Sequence, residues 1–509
     1  MPEDELTIVQ VAPIASMASK GSGDYIYRIG QPSAAMGRLP GVRVINVSHV
    51  SPYLKQLCLA ADVLVLHLLG EVDLLPVVAE RKRLGLPTVY EISDNFMAFP
   101  KSASIREWFQ DPMNLATAFQ LIQMADAIQG VSDVLLRQFN FLHHDFVVFE
   151  NHVTHTREKK PSQNGVVKIG WGGSVGHTDD VAYVAPVIKA LCRTKPQVRF
   201  YFMGSKTQFE ETFGGSHSEQ FSYVPPGSME RYYEFVQGLD LGLAPMLETP
   251  YNVCRSDVKF VEYASCGVVP VLSSIAPYQK HVRDGENALL FKDRRSLAQV
   301  LERLTTDPGL IGAVSQGAVE YVGKERIESD HAIDRVTFYQ SFMTRRSRNP
   351  LPFDLLQRIS TDLSVSGVSE TDAEHKVLEG FYAEANGRAD LARRIWEEAA
   401  RGFPGYAFPW ICLGRSLLVE GDLKGLDYLQ KGLACEPRSL RARLLFGQAF
   451  SQSDARRPEK EFRKALRVFS DFAPAWKELG LLEKRRGKIQ VSAHLMNKAL
   501  EVNPFYADA

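Results

Sequence analysis

Residues 252–273 read Asn-Val-Cys-Arg-Ser-Asp-Val-Lys-Phe-Val-Glu-Tyr-Ala-Ser-Cys-Gly-Val-Val-Pro-Val-Leu-Ser. The first half predicts a helix that ends at Gly267, and the apolar run Val268–Leu272 predicts a buried strand directly after it. A helix followed at once by a buried strand is the repeating unit of an α/β fold. Lys259 and Glu262 add a cation and a carboxylate to the helix, so this segment is also a candidate ligand site.

The same alternation of short apolar runs and helix-like segments continues through the first 345 residues. The other predicted strands are Leu6–Val11, Val42–Val47, Val63–Leu68, Thr88–Ile92, Val147–Glu150, Val166–Trp171, Val198–Met203 and Leu239–Ala244. Short runs separated by crossover helices favour parallel sheets that are covered on both faces. A polar break at 152–165 divides the runs into two groups, which predicts two Rossmann-like domains with a cleft between them.

Beyond a second break at 345–370 the sequence becomes helical and repeats itself. The residues that recur are Trp410, Leu413 and Gly414, matched by Trp476, Leu479 and Gly480, with related units at Gly380, Ala392, Trp396, Ala399 and Pro404 and at Gly447, Phe462, Ala465 and Leu466. This pattern resembles the tetratricopeptide repeat. The resemblance implies either a groove for a peptide or protein partner, or a stabilising or dimerising appendage.

The predicted fold class is therefore α/β, with two Rossmann-like domains followed by an all-α tetratricopeptide-repeat domain. The expected boundaries are 1–155 for the N-terminal domain, 156–345 for the second domain, 346–370 for a linker and 371–509 for the repeats. A basic cluster in the second break, Arg345, Arg346 and Arg348, leaves two interpretations open. It contacts anionic lipid, which makes the protein peripherally membrane-associated, or it is a solvated part of the linker.

The composition disfavours several classes of protein. Lys and Arg number 59 against 60 Asp and Glu in 509 residues, so no nucleic-acid partner is expected. The acidic start of the chain lacks the features of a secretory signal, and the most apolar stretch, Ala60–Gly70, is too short to span a membrane. A cytoplasmic location is expected. The six scattered cysteines indicate neither disulfides nor a zinc site.

Two glycine-rich segments follow predicted strands. The first, residues 19–24, contains Gly21 and Gly23, and the second spans residues 170–177. Such loops present backbone N–H groups to phosphate oxygens at a helix N-terminus. A nicotinamide site is disfavoured because the strand after the second loop leads into Gly204-Ser-Lys and not into an acidic residue, and no Walker A sequence is present.

The segment 252–273 resembles the donor site of GT-B-fold glycosyltransferases, in particular the retaining family 4. A subset of these enzymes has the pattern Asn-x-x-x-Ser-Asp-x-Lys-Phe-x-Glu-Tyr, which this chain matches with Asn252, Ser256, Asp257, Lys259, Phe260, Glu262 and Tyr263. The resemblance implies that Glu262 binds the ribose hydroxyls of a nucleotide-sugar and that Lys259 neutralises the diphosphate leaving group. The position where the family usually has a first glutamate holds Cys254, a departure that affects the contact to the donor sugar.

The resemblance implies further site residues in both domains. On the donor side these are Gly172, Gly173, Ser174, His177, Gly204, Val224, Pro225, Asn252, Ser256, Lys259 and Glu262. On the acceptor side they are Gly21, Gly23, His67 and Asp94, and Asp94 joins Lys259 as a candidate catalytic residue. His177 is either a cation beside the diphosphate or a helix cap, and a helix cap is also the alternative for Asp94.

By this resemblance the chain is a glycosyltransferase that moves a sugar from a nucleotide-sugar to a protein or glycan acceptor, without a metal ion and with retention. No cofactor is implied, because the nucleotide-sugar is a substrate, and the acceptor is expected to use the repeat groove. Two alternatives stay open: a catalytically inactive scaffold that binds protein partners, and a nucleotide-sugar epimerase. Hydrolysis of a nucleotide-sugar distinguishes an active enzyme from a scaffold.

Overall fold

The structure is a computed structural model that describes residues 5–18, 22–101, 105–160, 165–214, 219–344, 347, 367–368, 372–450 and 456–506. Within these ranges two parallel sheets are followed by a helical region. We call them the N-terminal sheet unit, the second sheet unit and the helical region. The predicted fold class, two Rossmann-like units and then an all-helical region, is confirmed. Gly21 and the basic cluster Arg345, Arg346 and Arg348 lie outside the described residues.

The N-terminal sheet unit contains the parallel strands β1 Leu6–Ala12, β2 Val42–Ser48, β3 Val63–His67, β4 Thr88–Ile92, β5 Ala127–Gly130 and β6 Phe146–Val148. A seventh parallel strand, β13 Gly367–Val368, comes from the segment that precedes the helical region. They are hydrogen-bonded in the order β13-β2-β1-β3-β4-β5-β6. The helices are α1 Ile14–Ala18, α2 Gln31–Met36, α3 Leu54–Ala60, α4 Leu75–Leu84, α5 Arg106–Gln110, α6 Pro112–Met124 and α7 Asp133–Arg137. A π-helical turn, Tyr25–Gly30, precedes α2.

The second sheet unit contains β7 Val167–Gly172, β8 Val198–Met203, β9 Phe221–Val224, β10 Leu241–Ala244, β11 Val269–Ser273 and β12 Leu289–Phe291. Their order is β12-β11-β10-β7-β8-β9, and every pair is parallel. The helices are α8 Thr178–Thr194, α9 Lys206–Phe213, α10 Met229–Gln237, α11 Val258–Ser265, α12 Ala276–Gln279, α13 Arg294–Thr306, α14 Pro308–Glu325 and α15 Glu328–Ser341. The last of these helices, α15, returns to the N-terminal sheet unit, where its Val336 packs with Leu6 and Ile8 of β1.

Every strand predicted from an apolar run overlaps a strand of the structure, whereas β5, β9, β12 and β13 have no predicted counterpart. These four contain only two to four residues, too few for a recognisable apolar run. The predicted junction at Gly267 is present. Its φ of 65° lies in the left-handed region, which glycine adopts without a Cβ penalty, and this lets the chain turn from α11 into β11.

The helical region consists of consecutive helix pairs: α16 Asp372–Ala385 with α17 Ala389–Gly402, α18 Ala407–Val419 with α19 Gly425–Cys435, α20 Leu440–Phe450 with α21 Arg456–Val468, and α22 Ala473–Arg485 with α23 Ile489–Val502. In each pair a glycine of the first helix faces a large side chain of the second: Gly380 and Trp396, Gly414 and Leu429, Gly447 and Phe462, Gly480 and Met496. These glycines are 34, 33 and 33 residues apart. The region is therefore an internal repeat, and its tetratricopeptide identity stays a prediction.

The helical region packs against the N-terminal sheet unit. Arg441 of α20 donates to both carboxylate oxygens of Glu71, at 3.1 and 3.0 Å, and Ala373 of α16 joins an apolar cluster with Val50. These contacts cover part of the surface that the first helix of each pair, here α16 and α20, forms on the helical region. A cavity of about 440 Å³ remains between the two parts. A partner in a repeat groove therefore stays a prediction.

Among the described helices, none combines the length and the apolar composition that crossing a membrane requires. The predicted membrane contact rests on Arg345, Arg346 and Arg348, of which the structure describes none. Cytoplasmic location and peripheral membrane association therefore both stay predictions from the sequence.

Candidate functional site

A cleft of about 540 Å³ lies between the two sheet units. Its walls include residues that follow strand ends, such as Asp94 after β4, Asn151 after β6 and Ser174 after β7. Because parallel strands end at one edge of their sheet, both sheets turn their ligand-binding edges toward this cleft. The predicted site residues that line it are Gly23, Asp94, Gly173, Ser174, His177, Ser256, Lys259 and Glu262.

Glu262 lies in the wall of the cleft and is only 4% exposed. Its Oε1 accepts a hydrogen bond from the hydroxyl of Tyr27 at 2.8 Å, and its Oε2 accepts one from the hydroxyl of Tyr232, also at 2.8 Å. Burial, and then the charge of Glu262, raise the pKa of both phenols, so both stay protonated donors. Two hydroxyls on one carboxylate form the pattern that the vicinal hydroxyls of a ribose also offer.

Lys259 lies one helical turn before Glu262 on α11 and completes this cluster. Its Nζ donates to Oε2 of Glu262 at 2.9 Å and to the hydroxyl of Tyr232 at 2.7 Å, and it lies 4.5 Å from the centre of the Tyr232 ring. The side chain keeps 19% of its surface exposed, toward the cleft that it lines. A cation is thus held at the cleft surface by a buried carboxylate, which suits binding of an anionic group.

Tyr27 belongs to the N-terminal sheet unit, so its bond to Glu262 spans the cleft and competes with any ligand hydroxyl. We expect Tyr27→Phe to strengthen binding of a nucleoside diphosphate about tenfold, because the ligand no longer displaces a hydrogen bond to a charged group. Isothermal titration calorimetry measures the change. Tyr183→Phe, on α8 outside the cleft, is the matched control. Weaker binding by Tyr27→Phe would make the phenol part of the ligand site and not its competitor.

The second glycine-rich loop connects β7 to α8. The N–H of Gly173 donates to the carbonyl of Met203 at 3.0 Å, and a Cβ at Gly173 would lie 2.7 Å from the Trp171 ring. This position therefore requires glycine, and the loop is held against β8. The loop leads Ser174 along the cleft to the N-terminus of α8. The free N–H groups and the dipole of a helix of this length attract an anion.

His177 closes this loop and is 8% exposed. It does not cap α8 with its side chain. Its Nδ1 instead bonds Oδ2 of Asp180 at 2.8 Å, while Oδ1 of Asp180 accepts from the N–H of Leu247 at 2.8 Å and from Nδ2 of Asn252 at 3.1 Å. The imidazole is thus fixed at the cleft by a carboxylate that is itself held at both oxygens.

Asp94 lies on the opposite wall, after β4. The hydroxyl of Tyr251 donates to its Oδ1 at 3.1 Å, and Nη1 of Arg255 donates to the same hydroxyl at 3.2 Å. Burial raises the pKa of Asp94, and the charge of Arg255 opposes that shift. The predicted alternative, a helix cap, does not apply because a turn and not a helix follows Asp94. Asp94 and Arg255 therefore present opposite charges to one part of the cleft.

Two predicted residues have a structural role away from the cleft surface. His67 is 3% exposed within β3, where its Nε2 bonds Oε1 of Gln10 at 3.0 Å, and burial lowers its pKa to about 3. Asn252 donates to Asp180 and, at 2.9 Å, to the carbonyl of Leu247. Neither is among the residues that line the cleft; each has a supporting role in the structure, and the ligand contacts predicted for them stay predictions.

Other predicted residues lie next to the lining without forming it. A Cβ at Gly172 would lie 2.8 Å from the Tyr232 ring, and one at Gly204 would lie 2.8 Å from the carbonyl oxygen of Gly173. Both glycines thus allow close packing behind the loop. After β9 the residues that line the cleft are Pro226 and Gly227, which directly follow the predicted donor-side residues Val224 and Pro225.

The prediction did not include several residues that line the cleft: Ser22, Asp24, Tyr27, Arg28, Tyr232 and Arg255 among them. Arg28 is already engaged, since it is 2% exposed and donates to Glu91 at 2.9 and 2.7 Å. Arg255 was present in the helix motif, directly before Ser256, and this is the one signal that sequence reasoning could have used. Nothing local marks Tyr27 or Tyr232 as neighbours of Glu262.

Cys254, which the resemblance aligns with the first glutamate of the family 4 motif, does not line the cleft. It is 1% exposed, and Nδ2 of Asn95 lies 3.6 Å from its Sγ. Burial raises the pKa of its thiol, so the thiol stays neutral. In the part of the chain that the structure describes, no group of three or more His, Cys, Asp or Glu side chains has the arrangement of metal ligands.

Residues 167–307 match the family model described as "Glycosyl transferases group 1". Among solved structures, the chain is similar to sucrose-phosphate synthase from Thermosynechococcus elongatus, with 12% identity, a TM-score of 0.51 and coverage of 66% of this chain and 99% of that one. It is also similar to HepE from Anabaena in complex with UDP and glucose, with 12% identity, a TM-score of 0.49 and coverage of 66% and 100%. Comparison with curated proteins gives no match.

The similarity to sucrose-phosphate synthase concerns the fold, because identity is low. The family match concerns sequence and spans β7 to β12, the loop with His177 and the helix with Lys259 and Glu262. The chain therefore has the GT-B fold, and its residues 167–307 are similar in sequence to the glycosyl transferases group 1.

Proposed function

We propose that this protein is a metal-independent glycosyltransferase that moves a sugar from a nucleotide-sugar to a protein or glycan acceptor, with retention at the anomeric carbon. Within the glycosyl transferases group 1 the proposal places it in the family 4 type, with a tetratricopeptide-repeat domain fused to it. No resident cofactor takes part, because the nucleotide-sugar is consumed as a substrate.

The observation that carries this proposal is the position of Lys259 and Glu262. Both line the cleft on α11, and across from them the loop with Ser174 leads to the N-terminus of α8. A carboxylate for ribose hydroxyls, a cation for the diphosphate and a glycine-rich loop at a helix N-terminus make a site that suits a nucleotide-sugar. The family match over 167–307 supports the same assignment.

In the proposed reaction the bond between the anomeric carbon and the diphosphate breaks, and its electron pair stays on the leaving phosphate. Lys259 and Arg255, both in the cleft wall, offset this developing negative charge. Asp94, on the acceptor-side wall, orients the acceptor hydroxyl or stabilises the positive charge that develops on the sugar. The acceptor oxygen forms the new bond to the anomeric carbon, on the face that the diphosphate leaves, and its proton passes to the leaving diphosphate, so atoms and charge balance.

We expect Lys259→Met to lower kcat for donor hydrolysis or transfer by about 100- to 1000-fold, because a preorganised charge at the leaving group is lost. Steady-state release of the nucleoside diphosphate measures this change. Lys206→Met, at an exposed lysine of α9, is the control and should leave kcat unchanged. Unchanged kcat in Lys259→Met would show that the ammonium holds Glu262 and does not act on the leaving group.

An inactive scaffold remains the second candidate, and two observations favour it. Cys254, which the resemblance aligns with a family glutamate, is buried away from the cleft, and Glu262 already accepts hydrogen bonds from Tyr27, Tyr232 and Lys259. A scaffold of this kind binds a nucleotide-sugar without cleaving it. Incubation of each candidate donor with the protein, followed by chromatography of the nucleotide, separates the two: release of free nucleoside diphosphate supports the enzyme, and binding without release supports the scaffold.

A further inference from the structure

His177 and Asp180 form a pair that the proposed chemistry above does not use. Since a carboxylate only accepts hydrogen bonds, the 2.8 Å contact places a hydrogen on Nδ1 of His177. Asp180 is 3% exposed, and both of its oxygens are bonded. The imidazole therefore cannot rotate without breaking a buried charged contact, and its second nitrogen, Nε2, is held in one place.

Nε2 is the free end of this pair. His177 lines the cleft beside Ser174 and Lys259, and among the described residues no hydrogen bond is made to Nε2. A neutral imidazole with its hydrogen on Nδ1 carries a lone pair on Nε2. Such a nitrogen repels the oxygens of a phosphate, whereas a protonated one donates to them.

The charges around His177 come from three elements. Asp180 of α8 faces it directly, Arg255 lies in the loop before α11, and Lys259 lies on α11. Tyr278 of α12 shares with it a small neighbouring pocket, and Asp24, Arg28 and Asp94 line the far side of the cleft. Burial lowers the pKa of His177 most, Asp180 raises it, and Arg255 and Lys259 lower it further. Without a ligand the ring is therefore neutral near pH 7.

We propose that His177 takes up one proton when a nucleoside diphosphate enters the cleft, so that Nε2–H of the resulting imidazolium donates to a phosphate oxygen while Asp180 holds Nδ1–H. This inference rests on the proposed function, since it names a partner of the diphosphate in that same site. The diphosphate adds negative charge next to Arg255 and Lys259, which cancels their effect on His177. Asp180 then favours the cationic ring, as a positioning residue.

The proton uptake determines how affinity depends on pH. His177 holds its proton more firmly in the bound complex than in the free protein, so affinity is higher at low pH and falls as the pH rises through the pKa of His177 in the bound complex. For a single linked proton the limit is about tenfold in Kd per pH unit. Release of the nucleoside diphosphate frees the same proton.

Isothermal titration calorimetry at pH 7.5 tests this in buffers of different ionisation enthalpy, with UDP, GDP, ADP and TDP as probes. The slope of observed enthalpy against buffer enthalpy gives the number of protons taken up. We expect the wild type to take up close to one proton more than His177→Gln, and Asp180→Asn to lie between them. His494→Gln, at an exposed histidine of α23, is the matched control and should keep the wild-type slope. The phosphate of the nucleoside diphosphate also titrates near pH 6, and its contribution to the slope is the same for all variants.

The outcomes separate this inference from the function on which it rests. Binding with equal slopes in the wild type and His177→Gln overturns the proton uptake and leaves the nucleotide site intact. No binding of any nucleoside diphosphate to the wild type overturns the proposed function as well. If His177→Gln fails to fold or to bind, the wild type alone decides: Kd that weakens from pH 6.5 to 8.5 supports the inference, and constant Kd overturns it.

Discussion

Replacement of Glu262 by alanine is expected to weaken binding of a nucleoside diphosphate by a factor of about 100 to 10,000. Two ribose hydroxyls donating to one carboxylate make two hydrogen bonds to a charged group, each worth about 1.5–3 kcal/mol. Glu262 is 4% exposed, and Tyr27, Tyr232 and Lys259 use three of the roughly four acceptor positions of its carboxylate. One ribose hydroxyl can take the remaining position, and the other can displace the hydroxyl of Tyr27. No other described carboxylate is bonded by Lys259.

The measurement is a thermal shift against UDP-, GDP-, ADP- and TDP-sugars, with the wild type and Glu262→Ala side by side. Ligand at about 100 Kd should add roughly 2.7 kcal/mol to the wild type. We expect a shift for one nucleotide class that disappears in the variant. Glu234→Ala, at an exposed position of α10, controls for loss of a glutamate near the site. No shift with any donor in the wild type would favour the scaffold, and a shift that survives Glu262→Ala would place the nucleotide elsewhere.

The fold could be predicted largely from the sequence because buried parallel strands are continuous apolar runs. β3 and β11 are of this kind, and their predicted and observed bounds differ by one residue at each end at most. β5, Ala127–Gly130, offers only Ile128 as a large apolar residue and has no such signal. It forms a strand because its backbone pairs with neighbours on both sides, which is a property of the assembled sheet.

Contacts between side chains of the site were predictable only where the residues are close in sequence. Lys259 and Glu262 share a helix, and a three-residue spacing puts both on one face. Tyr27 lies 235 residues away from Glu262, and no periodicity in the sequence relates the two positions. The same limit explains Asn252: its place in the motif suggested a ligand contact, whereas its amide is used by Asp180, 72 residues earlier.

The repeat pattern predicted the helix pairs but not what lies against them. Gly380 and Gly447 make room for Trp396 and Phe462 within pairs, which is local information. The bond from Arg441 to Glu71 joins residues 370 apart and fixes the helical region on the N-terminal sheet unit. This partly buried ion pair and the apolar cluster of Ala373 with Val50 indicate that the region is packed on the N-terminal sheet unit and is not a freely tethered module.

Asp257→Ala is expected to destabilise the protein by about 3–5 kcal/mol, because it leaves a buried guanidinium without its partner. Arg326 is 1% exposed and Asp257 5% exposed, and the two form a double contact at 2.6 and 2.8 Å. Arg326 also donates to the carbonyl of Asn151 at 2.7 Å, in the segment that joins the two sheet units. The pair therefore ties the start of α11 to the end of α14 and to the junction between units.

Differential scanning calorimetry measures this loss, with Asp307→Ala as control, because Asp307 only caps α14 from the surface and should cost about 1 kcal/mol. The double variant Asp257→Ala with Arg326→Met should be more stable than Asp257→Ala alone, since neither charge is then left buried and unpaired. The Asp257→Ala variant also distinguishes a structural role of Asp257 from a direct contact to the ligand. If Asp257→Ala keeps the wild-type unfolding temperature but loses nucleotide binding, Asp257 contacts the ligand. If it loses stability and binds nucleotide at low temperature, its role is to hold the helix that carries Lys259 and Glu262.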